Sequence, residues 1–408
     1  MKNRIHRRQF LLTSVCGGMI IRHAQSKEKN LIRSIQREII WNGRKDGVTW
    51  FHPRACILPR DPNPLVLMTC QSITGSDVFG QVHVSFTSDL GRTWTPPRPI
   101  HAFARHPIDG GLEEGVCDVV PQYHEKTGVV LAIGHNVYYK DGKLTRPDKQ
   151  RFPVYSIYDP RKQEWSHRKK IDWSDPRATA MYTCGCGQRL VLENGDLLIP
   201  FSFAPNDRTD RAVGAVLASF DGDVITIKQS SEEMRLPIKR GLLEPSVVHF
   251  QDRYFMTIRA EDDHGYVSVS DDGMHWQDPQ PWSWDTGEPL SMSTTQQHWI
   301  SHSHGLFLVY TRKDEQNINV FRWRSPLYIA QVNPQTLQLI RESEQIVLPL
   351  VGDGVNNAQH VARMGNFHTT NVTPYETWVT VGETLPEDEW KGDTLLARII
   401  WDQANTIL

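Results

Sequence analysis

Clustered positive charge is scarce in this chain. Its 408 residues include 45 Lys and Arg against 47 Asp and Glu, so the formal net charge is −2 at pH 7. Proteins that bind DNA or RNA through the phosphate backbone need Lys and Arg gathered on one surface. Beyond the N-terminus the sequence has no long basic run. We therefore expect no nucleic acid among its partners.

Long hydrophobic runs are scarce as well. The apolar run at residues 10–21 is too short to cross a bilayer as a helix, so we expect no membrane span. It follows a basic start, and Arg7-Arg8-Gln9-Phe10-Leu11 is similar to a twin-arginine export signal. We predict that residues 1–26 are an export signal cleaved near Ala24. The mature protein would then be periplasmic or secreted.

Cysteine is rare, and its spacing does not suggest a metal site. Removing the signal, and Cys16 with it, leaves an odd number: Cys56, Cys70, Cys117, Cys184 and Cys186. Nothing resembles the paired CxxC spacing of zinc sites, and we predict no metal or other cofactor. A disulfide between Cys56 and Cys70 is compatible with an oxidising compartment. Buried free thiols are the favoured interpretation for most of the five.

Long helical periodicity is missing too, and this points to an all-β fold. Short alternating apolar runs are bounded by Gly, Asp, Asn and Pro throughout the chain. Groups of such runs recur about every 45–60 residues, which is typical of propeller blades. Six groups start near Arg54, Gly115, Gly187, Leu243, Ser293 and Gly365.

Six repeats around an axis predict a six-bladed β-propeller, formed as a single domain over residues 35–404. Such a ring must close on itself. We expect residues 35–41 to supply the outer strand of the last blade, pairing with residues 395–401. Closure of this kind removes an exposed sheet edge.

One stretch, residues 243–276, places charged side chains at strand ends. It reads as three short strands with tight turns. Glu244 precedes the first strand, and Arg259 ends the second. Side chains at strand ends can converge on a ligand while the strands themselves stay packed. The stretch therefore predicts a carboxylate and a guanidinium at the mouth of a sheet assembly.

Two turns share the pattern x-x-Asp-x-Gly-x-x-Trp. They span residues 87–94 and 269–276, with Asp89 and Asp271 at the same offset. In such turns Asp accepts hydrogen bonds from turn amides, Gly permits a positive φ, and Trp packs on the sheet. The matching offsets indicate a repeated structural unit.

These turns resemble the Asp-boxes of the sialidase superfamily, where they lie on blade rims away from the active site. The resemblance covers most of residues 40–385, and it implies a fold before it implies chemistry. It further implies a set of charged site residues. These are Arg54, Arg259 and Arg324 as carboxylate-binding arginines (with Arg322 or Arg312 as alternatives to Arg324), Asp77 as general acid, and Glu244 as an assisting carboxylate.

Three convergent arginines would bind a carboxylate through bidentate, charge-assisted hydrogen bonds, which favours an acidic sugar as ligand. Sialidases use a Tyr nucleophile in a segment opening the last blade. The corresponding residues 358–368 contain no Tyr. His368 falls near that position and is a candidate base or electrophile.

Other polar residues are candidates for lining the centre of the propeller. Gln188 is predicted to bind substrate, with Asp118 and His135 nearby. His302 and His304 would share one strand face, as metal ligands do, but no third ligand is specified by spacing.

The sequence thus predicts an exported, glycoside hydrolase-like enzyme that acts on an acidic sugar at a glycan terminus. Two alternatives stay open. One is a polysaccharide lyase on the same scaffold, with His or Tyr removing the proton beside a uronate carboxylate. The other is a propeller that binds an acidic glycan without catalysis.

Overall fold

A computed structural model describes residues 30–292 and 294–407. From Leu31 onward the chain forms one compact unit, an all-β propeller. The predicted export signal and Cys16 lie outside the described residues. In the described part, no helix is both long enough and apolar enough to cross a membrane.

Short strands make up most of the structure. In the first half of the chain they are β1 (Ile32–Trp41), β2 (Trp50–Leu58), β3 (Leu65–Gly75), β4 (Val78–Thr87), β5 (Arg98–Pro99), β6 (His106–Ile108), β7 (Leu112–His124), β8 (Val129–Lys140), β9 (Lys143–Thr145), β10 (Pro153–Asp159), β11 (Glu164–Trp165), β12 (Lys169–Lys170), β13 (Met181–Thr183), β14 (Leu190–Val191), β15 (Leu197–Ala204) and β16 (Ala212–Phe220). In the second half they are β17 (Ile225–Ser230), β18 (Met234–Arg235), β19 (Leu243–Phe250), β20 (Arg253–Arg259), β21 (Gly265–Ser270), β22 (Gln280–Pro281), β23 (His298–His302), β24 (Gly305–Tyr310), β25 (Leu327–Asn333), β26 (Gln338–Leu339), β27 (Gln345–Leu348), β28 (Arg363–Met364), β29 (His368–Thr373), β30 (Glu376–Thr384) and β31 (Thr394–Trp401).

Helical structure is limited to single turns. The one described α-helix, α1 (Gly43–Asp46), begins at Asn42, whose side chain accepts a hydrogen bond from the Lys45 amide. The 3-10 turns are His101–Phe103, Pro176–Ala178, Phe321–Trp323, Arg341–Ser343, Ala358–His360 and Pro386–Asp388.

Hydrogen bonds group the strands into six antiparallel sheets. In chain order they contain β2–β5, β6–β12, β13–β18, β19–β22, β23–β27, and lastly β28–β31 joined by β1. The first long strands of the sheets pack against one another: β2 lies on β7 and β29, and β23 lies on β19 and β29. The sheets are therefore arranged radially, with these first strands innermost.

The last sheet joins both ends of the described chain. Strand β1 pairs antiparallel with β31, with Ile35 opposite Ile399 and Ile39 opposite Leu395. Trp401, which is fully buried, closes the adjoining core cluster. The predicted pairing of residues 35–41 with residues 395–401 is confirmed.

Tryptophans fill the space between sheets. Trp282, Trp299, Trp378 and Trp401 are among the largest fully buried side chains. The Trp299 indole N–H donates to the Ser246 carbonyl (2.9 Å), so it joins the fourth and fifth sheets. Large aromatics with one satisfied polar atom suit such packing. These four residues are structural.

The two Asp/Gly/Trp turns form similar networks in different registers. In the first turn, the Thr87 hydroxyl donates to Asp89 (2.8 Å), and Asp89 accepts from the Thr93 amide (3.0 Å). In the second, the Ser270 hydroxyl donates to Asp272 (3.0 Å), which also accepts from the Met274 and His275 amides (2.8 Å each). The expected Asp271 is wrong by one residue, because Ser270 rather than Val269 supplies the hydroxyl that fixes the turn.

All five described cysteines are buried and free. The disulfide considered between Cys56 and Cys70 does not form. In the β2–β3 register Cys56 lies opposite Leu67, three residues before Cys70. Burial raises the pKa of Cys56 to about 12, so it remains a thiol. The prediction of buried free thiols is confirmed.

Candidate functional site

A cavity of about 820 Å³ opens at one end of the propeller. Counting only the long strands of each sheet, the residues that line the cavity come from three places. These are near the start of the first strand, the end of the second and the start of the third. In the fourth sheet, for example, Glu244 stands at the start of β19 and Arg259 at the end of β20. Antiparallel strands bring these positions to the same edge, so residues far apart in sequence meet there.

A local backbone feature recurs at the first of these positions. His52, Asp118, Cys186 and Glu244 have positive φ values of 51°, 58°, 66° and 47°, and all four line the cavity. The pairing registers shift beside His52, Asp118 and Glu244, as expected for β-bulges. Non-glycine residues rarely adopt this conformation, and it concentrates at functional sites. The bulges turn these side chains toward the cavity.

Glu244 and Arg259 form an ion pair in the cavity wall. The Arg259 Nη1 donates to Glu244 Oε1 (2.7 Å), and its Nε donates to the Thr294 hydroxyl (3.1 Å). Glu244 Oε2 is buried and has no hydrogen-bond partner among the described residues. Burial opposes ionisation, but the Arg259 charge and hydrogen bond outweigh it and lower the pKa of Glu244. Glu244 is therefore an anion at neutral pH.

Arg324 lies in the same wall, just before the third strand of the fifth sheet. Burial and the neighbouring Arg259 and Arg322 charges lower its pKa to about 10, so it keeps its charge at pH 7. Among the described residues, no carboxylate lies within 4.0 Å of its guanidinium. Arg322 also lines the cavity. The alternative Arg312 does not, because it is paired with Glu344 and Asp314.

Asp77 sits at the tip of the hairpin between β3 and β4 and lines the cavity mouth. Its φ is 55°, and its carbonyl accepts from the Tyr139 hydroxyl (3.2 Å). The side chain is exposed. Asp77 therefore shares one cavity with Glu244, Arg259 and Arg324, as their predicted roles require.

Arg54 lies beneath the residues that line the cavity rather than among them. It is fully buried. Its Nη2 donates to Asp118 Oδ1 (2.6 Å), and Asp118 also accepts from the Asn366 amide (3.2 Å). Burial disfavours an ionised Asp118, but the charge and hydrogen bond of Arg54 hold its pKa well below the usual range. Arg54, predicted to bind substrate, thus contacts Asp118, which does line the cavity.

His368 and Gln188 also lie away from the cavity lining. The His368 ring is buried against His298, with ring centroids 5.1 Å apart, and burial keeps its pKa well below its usual value. The Gln188 amide donates to the Trp299 carbonyl (3.0 Å) and accepts from the Trp299 amide (2.7 Å). Gln188 thus ties inner strands together, because both ends of its side chain are occupied by the protein. Asn366, two residues before His368, lines the cavity instead.

Several arginines of the cavity are absent from the sequence-based prediction: Arg146, Arg151, Arg211, Arg240 and Arg363. Arg211 immediately precedes β16, and Arg151 lies two residues before β10, so each stands near the start of a third strand. Asp77 and Arg324 occupy the same place in their own sheets. A charged residue just before the third long strand recurs in four of the sheets, and this recurrence is the signal that could have identified Arg151 and Arg211.

A group of potential metal ligands lies at the same edge. Cys117, Asp118 and His135 place one ligand atom each within 4.8 Å of one another. Arg54, 2.6 Å from Asp118, already neutralises that carboxylate. His302 and His304 lie at the turn between β23 and β24, where the His302 ring packs on Trp401. With its one carboxylate already paired to Arg54, this group offers a metal ion no uncompensated negative charge.

The overall charge of the lining agrees with this. Eight arginines and one lysine face five carboxylates. A concave surface with excess charge of one sign concentrates ligands of the opposite sign. The molecule as a whole is nearly neutral, so the positive potential belongs to the cavity.

Comparisons with solved structures identify the fold. The Hadza microbial sialidase Hz136 matches with a TM-score of 0.60 and 15% identity, over 89% of this chain and 68% of that one. The Trypanosoma rangeli sialidase matches with a TM-score of 0.62 and 13% identity, over 91% of this chain and 60% of that one. A protein of unknown function from Dyadobacter fermentans matches with a TM-score of 0.62 and 13% identity, over 91% of this chain and 100% of that one.

The chain therefore has a sialidase-like propeller fold, spanning about 60% of the length of the Trypanosoma enzyme. A structure of that enzyme contains sialic acid. No protein-family profile matches this chain. No curated protein matches it either.

Proposed function

We propose that this protein is a glycoside hydrolase that acts on an acidic sugar at the end of a glycan. The observation that carries the proposal is Arg324, a half-buried arginine next to Arg259 whose Nε is buried without a hydrogen-bond partner and whose guanidinium has no carboxylate partner among the described residues. An uncompensated buried charge is unfavourable, and an anionic ligand would remove that penalty. A sugar carboxylate matches the planar guanidinium in shape and charge.

The proposed roles follow from position. Arg259 and Arg324 hold the carboxylate. Asp77, at the mouth, protonates the leaving oxygen. Glu244, kept ionised by Arg259, stabilises developing positive charge on the sugar or accepts a proton from attacking water. Arg54 acts indirectly, by fixing Asp118.

The proposal includes no tyrosyl intermediate. Tyr138 is the one Tyr among the described residues that line the cavity, and it lies on β8. Its hydroxyl donates to the Gln150 carbonyl (3.0 Å) and accepts from Asn136 (2.9 Å). Water is therefore the proposed nucleophile.

A lyase is the second candidate, because two neutral imidazoles line the cavity. Burial lowers the pKa of His52 to about 4 and that of His135 to about 3. Both rings are therefore neutral at pH 7, and the Nδ1 of each is buried without a hydrogen-bond partner among the described residues. A uronate whose carboxylate is neutralised by arginine would be the matching substrate.

The test uses the full chain and disaccharides that end in a sialic or uronic acid. We expect Asp77→Asn to lower kcat by about 10²–10⁴-fold. The loss should shrink on aryl glycosides, whose phenolate leaves without protonation. Arg324→Gln should lower kcat/KM by about 10²-fold, corresponding to a charge-assisted pair of about 2–3 kcal/mol.

Matched controls are Asp278→Asn and Arg341→Gln, both exposed and away from the cavity. Saturated products support hydrolysis, and an unsaturated product that absorbs in the ultraviolet identifies a lyase. Binding without turnover indicates a glycan-binding propeller. Unchanged kinetics in both cavity variants would rule out the assigned roles.

We further propose one blade for each of the six sheets, and export through residues 1–26. The recurring lining positions support the first, and an experimental structure would test it. The paired Arg7 and Arg8 support the second. A reporter fused to residues 1–26 should leave the bacterial cytoplasm, and Arg7→Lys with Arg8→Lys should retain it. Export of the altered fusion would contradict the twin-arginine route.

A further inference from the structure

Two arginines on the second and third sheets form a group distinct from Arg259 and Arg324. Arg151 and Arg211 have backbones fixed by the sheet that follows their own. The Arg151 carbonyl accepts from the Tyr182 amide (3.0 Å), and the Arg211 carbonyl accepts from the Leu242 amide (3.0 Å). Equivalent anchoring in consecutive sheets holds the two side chains at the same edge of the cavity.

Their charges are not balanced by the protein. No carboxylate of the described residues lies within 4.0 Å of either guanidinium, although many other arginines form such pairs. The Arg151 Nε is buried without a hydrogen-bond partner. Arg240, whose carbonyl accepts from the Arg211 amide (2.8 Å), is itself committed to Glu261 (2.9 Å). The Arg240–Glu261 pair therefore leaves Arg151 and Arg211 uncompensated.

The surroundings increase this imbalance. Burial and the nearby Arg151 and Arg240 charges lower the pKa of Arg211 to about 9, so it is still charged at pH 7. Arg146 lies in the adjoining loop and adds positive charge. Asp148 and Lys149 in the same loop offset each other in formal charge. An oxyanion placed between the two guanidinium groups would relieve the repulsion and supply the missing hydrogen-bond acceptors.

We propose that Arg151 and Arg211 form a second oxyanion subsite, which takes a sulfate ester or second carboxylate on the same glycan. The inference rests on the proposed function for its glycan, and it narrows the substrate class to sugars with two acidic groups. One group binds Arg259 and Arg324. The other acidic group binds Arg151 and Arg211, on the second and third sheets.

Inorganic sulfate is the first probe. Thermal unfolding of the full chain is followed in sodium sulfate and in sodium chloride of equal ionic strength. Sulfate stabilises proteins generally without saturating, whereas a site gives a saturable rise. We expect a saturable rise of about 2–4 °C in the wild type. It should fall by at least half in the Arg151→Gln/Arg211→Gln variant and persist in part in Arg324→Gln.

Arg151→Lys/Arg211→Lys keeps the charge and serves if the Gln variant does not fold. It should weaken sulfate binding, because Lys lacks the planar fork. Arg341→Gln is the control and should match the wild type. The subsite is disproved if the wild type shows no saturable phase, or if only Arg324→Gln reduces it.

The second probe is a pair of uronic acid disaccharides that differ in one sulfate ester, compared by calorimetry. The wild type should bind the sulfated member at least tenfold more tightly. Arg151→Gln/Arg211→Gln should abolish the preference, while Arg324→Gln weakens both ligands alike. Equal binding of both members by the wild type would overturn the inference. This binding measurement does not require catalysis. If the hydrolase proposal alone is wrong, the protein will still prefer the sulfated disaccharide but will not turn it over.

Discussion

Arginine has two opposite uses in and under this cavity. Arg54 is fully buried with an anionic partner 2.6 Å away, so its charge is compensated inside the fold. Arg324 is charged and half-buried, with a buried Nε and no such partner among the described residues. Removing one member of a buried pair strands the other charge, whereas removing an unpaired charge relieves a penalty. The same substitution should therefore have opposite effects at the two positions.

We predict that Arg54→Leu lowers the free energy of unfolding by about 3–5 kcal/mol, because Asp118 is left buried and uncompensated. Arg324→Leu should leave stability unchanged or raise it by about 1 kcal/mol. Urea unfolding at pH 7 measures both. The double variant Arg54→Leu/Asp118→Asn should recover part of the loss. An Arg54→Leu protein of wild-type stability would show that the pair with Asp118 is not structural.

At the scale of single elements, the repeated sheet supplies both scaffold and site. The Asp/Gly/Trp turns end third strands, opposite to the edge at which the cavity opens, and their hydrogen bonds are local. In the second turn the acceptor is Asp272, whereas its neighbour Asp271 makes none of these hydrogen bonds. The two aspartates therefore provide a matched comparison.

We predict that Asp272→Ala lowers the free energy of unfolding by about 1 kcal/mol, because amide and hydroxyl donors of the turn lose their acceptor. Asp271→Ala should change it by less than about 0.5 kcal/mol. Thermal or urea unfolding distinguishes them, and neither variant should alter ligand binding. A larger loss from Asp271→Ala would restore the register first expected from the sequence.

For the whole molecule, closure depends on β1. This strand pairs with β31 along its length, and its Ile32 lies in the core cluster that contains Trp401. Without β1, the edge of β31 and part of that cluster would be exposed. Open edges of this kind promote association between chains.

We predict that a chain beginning at residue 42 unfolds at lower urea and aggregates, in contrast to a chain beginning at residue 30. Light scattering and the unfolding midpoint test this. Because the cavity lies at an edge shared by all sheets, ligand affinity should fall with the loss of closure. Equal stability of the two chains would mean that β1 is dispensable.

Local sequence determined the β class, the turn chemistry and the closing pair of strands, since alternation and turn residues act over a few positions. It also indicated Glu244 and Arg259, because they lie at the start of one strand and the end of the next in one hairpin, and the family resemblance added Asp77 and Arg324. Tertiary structure alone decided which charges face the cavity. Arg54, Gln188 and His368 are polar residues near strand starts, yet packing of the inner strands buries Arg54 and His368 and ties the Gln188 side chain to Trp299.

Arg151 and Arg211 show the converse. Their own segments do not mark them as site residues; the signal appears only when the sheets are compared, because residues just before the third long strands of several sheets meet at one edge. The balance of charge there is a property of the assembled propeller. The sequence determined that acidic and basic groups would stand at strand ends; the fold decided which of them are paired and which remain open to a ligand.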